Sequence, residues 1–392
     1  MKKQTPLRVL GTPDTLIEQI RLRAEQDLQF PIAFEPLDGI DVQQRAVMEP
    51  GSFDVLDHWS VTAELAWTAG TLAPIRTDRI DDCDVLLGIS DNSPFWQAIS
   101  NGKGTAPGRK LFVQPDGTLS KDPTGFLSMM PTVHNMDSFG YCVDQVDAVP
   151  EQESWGWLLS NRFRGRIALT AHPSIGIVEV ALAAQALGLI KFNDVGNLTV
   201  DEIDRLVEVL IDLKRRGHFA GLWASTDEIV QIFEERNVIL STIWSQGIMA
   251  LRARKFEIRN ANPREGYRGW LDGLALSAAL EGEQLDHAYR FLNWWQSGWP
   301  GSVMARYGIY TTRPDKVEKQ LAPAEWAYWY AGKPASEVLF DNSGSPIVRA
   351  GQSRNGGSYE TRLGAVVVWN TVMNEHNYVT RKWNEFVLAL NQ

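Results

Sequence analysis

Trp270 and Asp272 are the residues of this chain whose types and spacing most directly suggest chemistry. In an extended segment, residues i and i+2 point to the same side, so an indole face and a carboxylate would share one cavity. That combination suits a cation, because the ring quadrupole and the formal charge both attract an ammonium group. The structural alternative is a core tryptophan beside an aspartate that caps the following helix. Further polar and aromatic residues stand directly after strand-like segments: Gly11-Thr12, Asp57-His58-Trp59-Ser60, Thr170-Ala171-His172-Pro173-Ser174 and Trp244-Ser245-Gln246. In open α/β sheets, ligands bind beyond the carboxyl ends of strands. The helix N-termini that follow can receive a negative group through free N–H donors. Trp59 and Trp244 could each cap a core edge, but their parallel placement favours a ligand.

Catalytic signatures are mostly absent. There is no phosphate-cradling G-x-x-x-x-G-K-[ST] and no H-E-x-x-H, and Gly102-Lys103-Gly104 lacks the rest of a dinucleotide spacing. The six histidines never pair at i,i+3 or i,i+4, so neither a helical metal site nor a cofactor is expected. His172-Pro173-Ser174-Ile175-Gly176 has the outline of a nucleophile elbow, yet His172 stands where a glycine permits the strained turn. Helix capping accounts better for Ser174, and a hydrolase using Ser174 and His172 is kept as a competing class.

These residues belong to a chain of 392, longer than one hydrophobic core normally supports, so two lobes are expected. Hydrophobic residues make up 44% and charged residues 22%, the proportions of a globular protein and not of a disordered or collagen-like one. No apolar run reaches 18 residues, so no membrane-spanning helix is expected. The net charge of −10 and the lack of a basic stretch argue against nucleic acid and anionic membranes as partners. Cys83 and Cys142 are too few for a disulfide scaffold or a cysteine-rich zinc site, though they could pair. Tryptophan is abundant, with 15 copies of a residue that is costly to leave in water.

Strand-like and helix-like segments alternate from the start, which predicts an α/β architecture with mostly parallel sheets. Leu7 to Leu10 reads as a buried strand, followed by Thr12-Pro13 as helix N-cap and first-turn proline. Ile32 to Glu35, Phe53 to Asp57, Arg166 to Thr170 and Val238 to Ile243 read as further strands. An apolar helix is expected from about Gly176 to Leu187. Thr199-Val200-Asp201-Glu202 is a capping box opening a helix that Gly217 stops, and Ser225 to Glu228 repeats the pattern. Ser100 to Thr124 reads as a surface loop with room for a small hairpin, and Asp341 to Ser358 is again rich in Gly, Ser and Asn. The N-terminus shows no secretory leader. Either the protein is cytoplasmic, or it is a mature domain whose leader is missing.

The order of segments resembles the solute-binding proteins of bacterial ABC importers, specifically the spermidine/putrescine-binding type. The likeness rests on Gly51-Ser52-Phe53-Asp54-Val55, on Met130-Pro131 with Asp137-Ser138-Phe139-Gly140-Tyr141, on Ile243-Trp244, and on Gly269-Trp270-Leu271-Asp272-Gly273-Leu274-Ala275-Leu276. It covers Leu7 to about Arg313. It implies a two-lobed periplasmic-binding-protein fold in which each lobe is a mostly parallel sheet flanked by helices. Lobe 1 would be 1–138 plus 268–312, and lobe 2 would be 139–267 plus 313–392. Two crossing strands would serve as hinge, near Asp137 to Cys142 and near Arg268 to Leu274. It further implies a non-catalytic, monomeric protein of the periplasm that hands its ligand to an ABC permease and ATPase. In the family, the tryptophan and aspartate of Trp270-x-Asp272 both meet the ligand.

Two departures bear on that ligand. Members of this type usually carry further acidic residues after a second-lobe strand, where this chain has Thr170 to Ser174 without a carboxylate. The loop Leu10-Gly11-Thr12 also lacks the family's aromatics. A long polycation would leave an ammonium unpaired, which is expensive. The expected ligand is therefore a small amine-containing solute: polyamine-like, quaternary or zwitterionic. The expected ligand-binding residues are Thr12, Asp57, Trp59, Asp137, His172, Trp244, Trp270, Asp272 and Tyr310. The alternative is the same fold binding an organic acid or sugar, held by His58, His134 or His172.

Overall fold

The computed structural model describes residues 5–89, 92–101, 106–147, 150–235, 237–370 and 372–389, and Gly102-Lys103-Gly104 lies outside them. The chain divides into two compact units. Met1–Asn101, Ala106–Asn135 and Trp270–Ala322 belong to the first, and Met136–Gly269 with Pro323–Gln392 to the second. Two of the passages fall inside the long strands Met130–Cys142 and Tyr267–Ser277.

In the first unit, strand Leu7–Gly11 lies between Ile32–Pro36 and Val55–Trp59 and runs parallel to both. Residues 272–276 pair antiparallel with Val55–Trp59. The crossover helix Glu18–Leu28 buries Ile20, Ala24 and Leu28 in a core shared with Leu7, Val9 and Ile32. Fully burying an isoleucine or leucine side chain contributes about 1.5–3 kcal/mol. This helix starts at Glu18 after Ile17 and not at Thr12-Pro13 as the sequence predicts. The Thr12 carbonyl first accepts the Leu16 N–H at 2.9 Å in a tight turn, which brings Leu16 against Gly11. Within the predicted surface loop, Phe112–Val113 and Leu119–Ser120 form a hairpin, closed where Gly117 takes φ 82°.

In the second unit, strand Ile167–Thr170 lies between Phe219–Trp223 and Leu240–Ile243, parallel to both. Leu240–Ile243 pairs antiparallel with residues 138–141. The capping box of Thr199 and Glu202 forms, opening helix Val200–Arg215, and Gly217 ends that turn with φ 70°. Helix Pro173–Ala186 is buried on all sides along Ile175–Ala184. It packs against Trp155–Leu159 and the helix His376–Leu388. Gly176 is required there: a Cβ would run into the indole of Trp383, whose Nε1 donates to the Ala171 carbonyl at 2.9 Å. Cys83 and Cys142 are free thiols. Among the described residues, no helix is long and apolar enough to cross a membrane.

Candidate functional site

The parallel register sets Gly11 beside Asp57, and only glycine fits, since a Cβ would lie 2.5 Å from the Asp57 carbonyl oxygen. The antiparallel register pairs Trp59 with Asp272 and Asp57 with Leu274. Cross-strand partners share a face, and so do residues two apart. Asp57, Trp59, Trp270 and Asp272 therefore stand on one face of the first unit's sheet. Gly273 allows this close fit, because a Cβ there would meet the Met130 carbonyl oxygen at 2.5 Å.

Both carboxylates are inside the protein, Asp57 at 1% and Asp272 at 2% exposure, while Trp59 and Trp270 are half-buried. Asp272 Oδ1 accepts the Gly273 N–H at 3.0 Å. No protein donor reaches either oxygen of Asp57 in good hydrogen-bonding geometry, and only the Thr15 hydroxyl stands near enough to favour its charge. Burial raises the Asp57 pKa to about 7, offset in part by the nearby Thr15 hydroxyl. Asp272 is raised well above the usual carboxylate range by burial first, then by the charge of Asp57 and, more weakly, that of Asp14. Burial disfavours the charged form, and a second carboxylate does so again. Thr12 is buried in the turn after the first strand. His58 turns to the Thr62 hydroxyl, with Nδ1 2.7 Å from Oγ1, and its ring lies 4.3 Å from that of Trp59.

The remaining predicted residues are placed elsewhere. In the second unit, His172 and Trp244 follow neighbouring strands, their rings 5.6 Å apart, and Trp244 meets Trp223 edge-on at 4.8 Å. The Nε2 of His172 stands 2.7 Å from the Ala224 carbonyl oxygen and must carry the hydrogen there. A base using that nitrogen for Ser174, which lies in the first turn of helix Pro173–Ala186, is thereby occupied. Asp137 faces Arg268 at 3.4 Å, and Arg268 also holds Glu179 at 3.0 Å; all three are about 1% exposed. The charge of Asp137 is thus answered from within the protein. Tyr310 is buried in the first unit, its ring 6.2 Å from His134. Burial drives the His134 pKa down to about 3, so that ring is neutral. Among the described residues, no group of three or more His, Cys, Asp or Glu could hold a metal ion.

The sequence did not reveal Arg268 and Glu179. They are 89 residues apart, and no local spacing links them.

No family model matches the chain, and no curated protein matches it by sequence. Solved structures do. A putative spermidine/putrescine ABC transporter from Listeria monocytogenes superposes with TM-score 0.66 at 13% identity, over 98% of this chain and 99% of that one. The spermidine/putrescine ABC transporter substrate-binding protein of Streptococcus pneumoniae gives TM-score 0.63 at 14% identity, over 98% and 99%. A binding protein from Agrobacterium tumefaciens B6 in complex with glucopine gives 0.61 at 12% identity, over 98% and 100%. The fold of this chain is that of the two-lobed ABC-transporter substrate-binding proteins.

Proposed function

We propose that this protein is the substrate-binding component of an ABC importer and captures a small amine-containing solute on the face formed by Asp57, Asp272, Trp59 and Trp270. The observation that carries this is Asp57: a buried carboxylate with no well-placed protein donor beyond the nearby Thr15 hydroxyl, beside a second buried carboxylate. A carboxylate taken from water without compensation is costly. A ligand ammonium supplies the missing charge and the missing N–H donors at once. Primary and secondary ammonium groups fit those oxygens better than a quaternary one, which brings charge without donors. The flanking tryptophans add cation–π attraction.

The structural neighbours support the transport reading. Their descriptions name spermidine/putrescine transport, a GABA receptor and binding of the opine glucopine. The cellular setting that follows is the periplasm, with a permease and an ATPase as partners. Thr12 is a further ligand-contact candidate on this unit, and in the second unit His172 and Trp244 stand at strand ends as candidates of their own.

Native mass spectrometry of the purified protein, then a thermal-shift screen of amines, organic acids and sugars, tests the reading. Amines should stabilise the protein, by about 2.7 kcal/mol at 100 times the dissociation constant, and should be recovered unchanged. Stabilisation by sugars or acids alone, or turnover of a bound amine, would overturn it.

A further inference from the structure

The first unit contains a narrow cavity lined by Pro131, Thr132, Trp295, Gln296, Thr311 and Arg313, among others. All six of these residues are buried. The space fits about one water molecule.

Three parts of the chain meet there. Thr132 lies on the long strand Met130–Cys142, and the strand Tyr310–Thr311 pairs antiparallel with it. Trp295 ends the helix Gly282–Trp295, and Gln296 is its C-cap. The helix Trp299–Ala305 seats against Thr311 because residue 301 is glycine, where a Cβ would lie 2.8 Å from Thr311 Cγ2. Some of the polar groups pair directly. Gln296 Nε2 reaches Met130 Sδ at 3.3 Å, and the Thr312 hydroxyl donates to the Pro131 carbonyl at 3.2 Å.

Four others do not. Thr132 Oγ1, Trp295 Nε1, Gln296 Oε1 and Thr311 Oγ1 are buried and find no hydrogen-bond partner among the described residues, in side chains of residues at 7% exposure or less. Buried polar groups are normally paired, and leaving one unpaired is costly. The indole nitrogen can only donate, the amide oxygen can only accept, and the hydroxyls can do either. An occupant that serves all of them must accept and donate, which a simple ion cannot do. Charge points the same way. Arg313 is the charged residue of the lining, and its guanidinium is already held by Asp315 at 2.9 and 2.8 Å and faced by Asp82 at 3.7 Å. No aspartate or glutamate lines the cavity to draw a cation.

We propose that this cavity binds an ordered water, which hydrogen-bonds at least two of the four side chains and ties the end of helix Gly282–Trp295 to the neighbouring strands. The site is independent of the amine-binding face. Thr132→Val and Thr311→Val, made singly in the full chain, test it by sign. Valine keeps the shape and removes the hydroxyl. If water holds that hydroxyl, a bond is lost and the melting temperature falls; in a dry cavity an unpaired buried oxygen is removed and the melting temperature rises. A fall of a few degrees is expected in at least one variant. A high-resolution crystal structure of the parent should show a single water within hydrogen-bond distance of two or more of the four atoms. The proposal is overturned if the cavity is dry or holds an ion, or if neither valine variant lowers the melting temperature.

Discussion

Asp57 and Asp272 lie diagonally across adjacent antiparallel strands and face the same side, because Trp59 is the register partner of Asp272 and Leu274 that of Asp57. Each raises the difficulty of ionising the other. Two like charges buried side by side cannot both be carried cheaply, so under the proposed function the pair keeps a proton near neutral pH until a ligand cation arrives. The two carboxylates then titrate as one system and not as separate groups.

Asp272→Asn keeps the shape and one acceptor but removes a charge. Amine affinity should fall by about 2–5 kcal/mol, the cost of removing one partner of a buried charge pair. Ligand-free stability should stay level or rise, because a strained charge has gone. Asp54→Asn is the control. Asp54 accepts the Arg8 N–H at 2.8 Å and pairs with its guanidinium, so this change should lower the melting temperature and spare affinity. Titration calorimetry and thermal melts read both, and full affinity in Asp272→Asn would refute the amine assignment.

The pH dependence has a definite sign. The folded pKa of Asp57, about 7, lies above its unfolded value of roughly 3.9. The folded state therefore binds the proton more tightly, and that stability is lost as pH rises from about 4 through 7. Glu179, also raised to about 7, contributes with the same sign, while His134, lowered to about 3, costs stability below pH 6.5. The difference between parent and Asp57→Asn isolates the first contribution, and it should shrink the fall in melting temperature between pH 5 and 8. Amine affinity should rise over the same window, with protons released on binding. Equal affinity at pH 5.5 and 8 would contradict a shared proton.

Much of this arrangement is legible in the sequence. Trp270-x-Asp272 follows from period-two geometry, and Thr199-x-x-Glu202 announced its helix. The place of Asp57 at a strand end marks it as a ligand candidate, but its pairing with Asp272 depends on register, which no local pattern encodes. The strand Phe219–Trp223 leaves no clear sequence signal, because Ala220 and Gly221 break its β-rich pattern. Thr12-Pro13 imitated a helix start. The chain instead places those residues in a turn, where the Thr12 carbonyl accepts the Leu16 N–H and Leu16 lies against Gly11.

Trp59→Ala and Trp270→Ala should each weaken amine binding by about 1–3 kcal/mol, the range for a desolvated aromatic contact with a cation. Intrinsic fluorescence should shift on binding in the parent, and less in each variant. Trp244→Ala tests the second unit's candidate by itself. If Trp59→Ala and Trp270→Ala fold and bind like the parent, the ligand lies elsewhere.

Arg268→Met should be the most damaging of these changes. It removes the cation that Asp137 and Glu179 share at about 1% exposure, and breaking a buried ion pair by removing one partner costs about 3–5 kcal/mol. The loss should be larger at pH 8 than at pH 5, because protonation relieves the stranded charges. Denaturant melts at both values would show it, and equal losses would mean that the triad is not what Arg268 serves.

The contact of Trp383 with Gly176 and Ala171 has a consequence for the order of events during synthesis. The loop bearing His172 is anchored by an indole that lies 212 residues further along the chain. A ribosome must deliver more than half of the polypeptide after that loop before its anchor exists. The strand Ile167–Thr170 can pair with its neighbours earlier, yet the turn beyond it completes its hydrogen bonding only when the last helix docks. Maturation of that edge of the second unit is in this sense scheduled by its final helix.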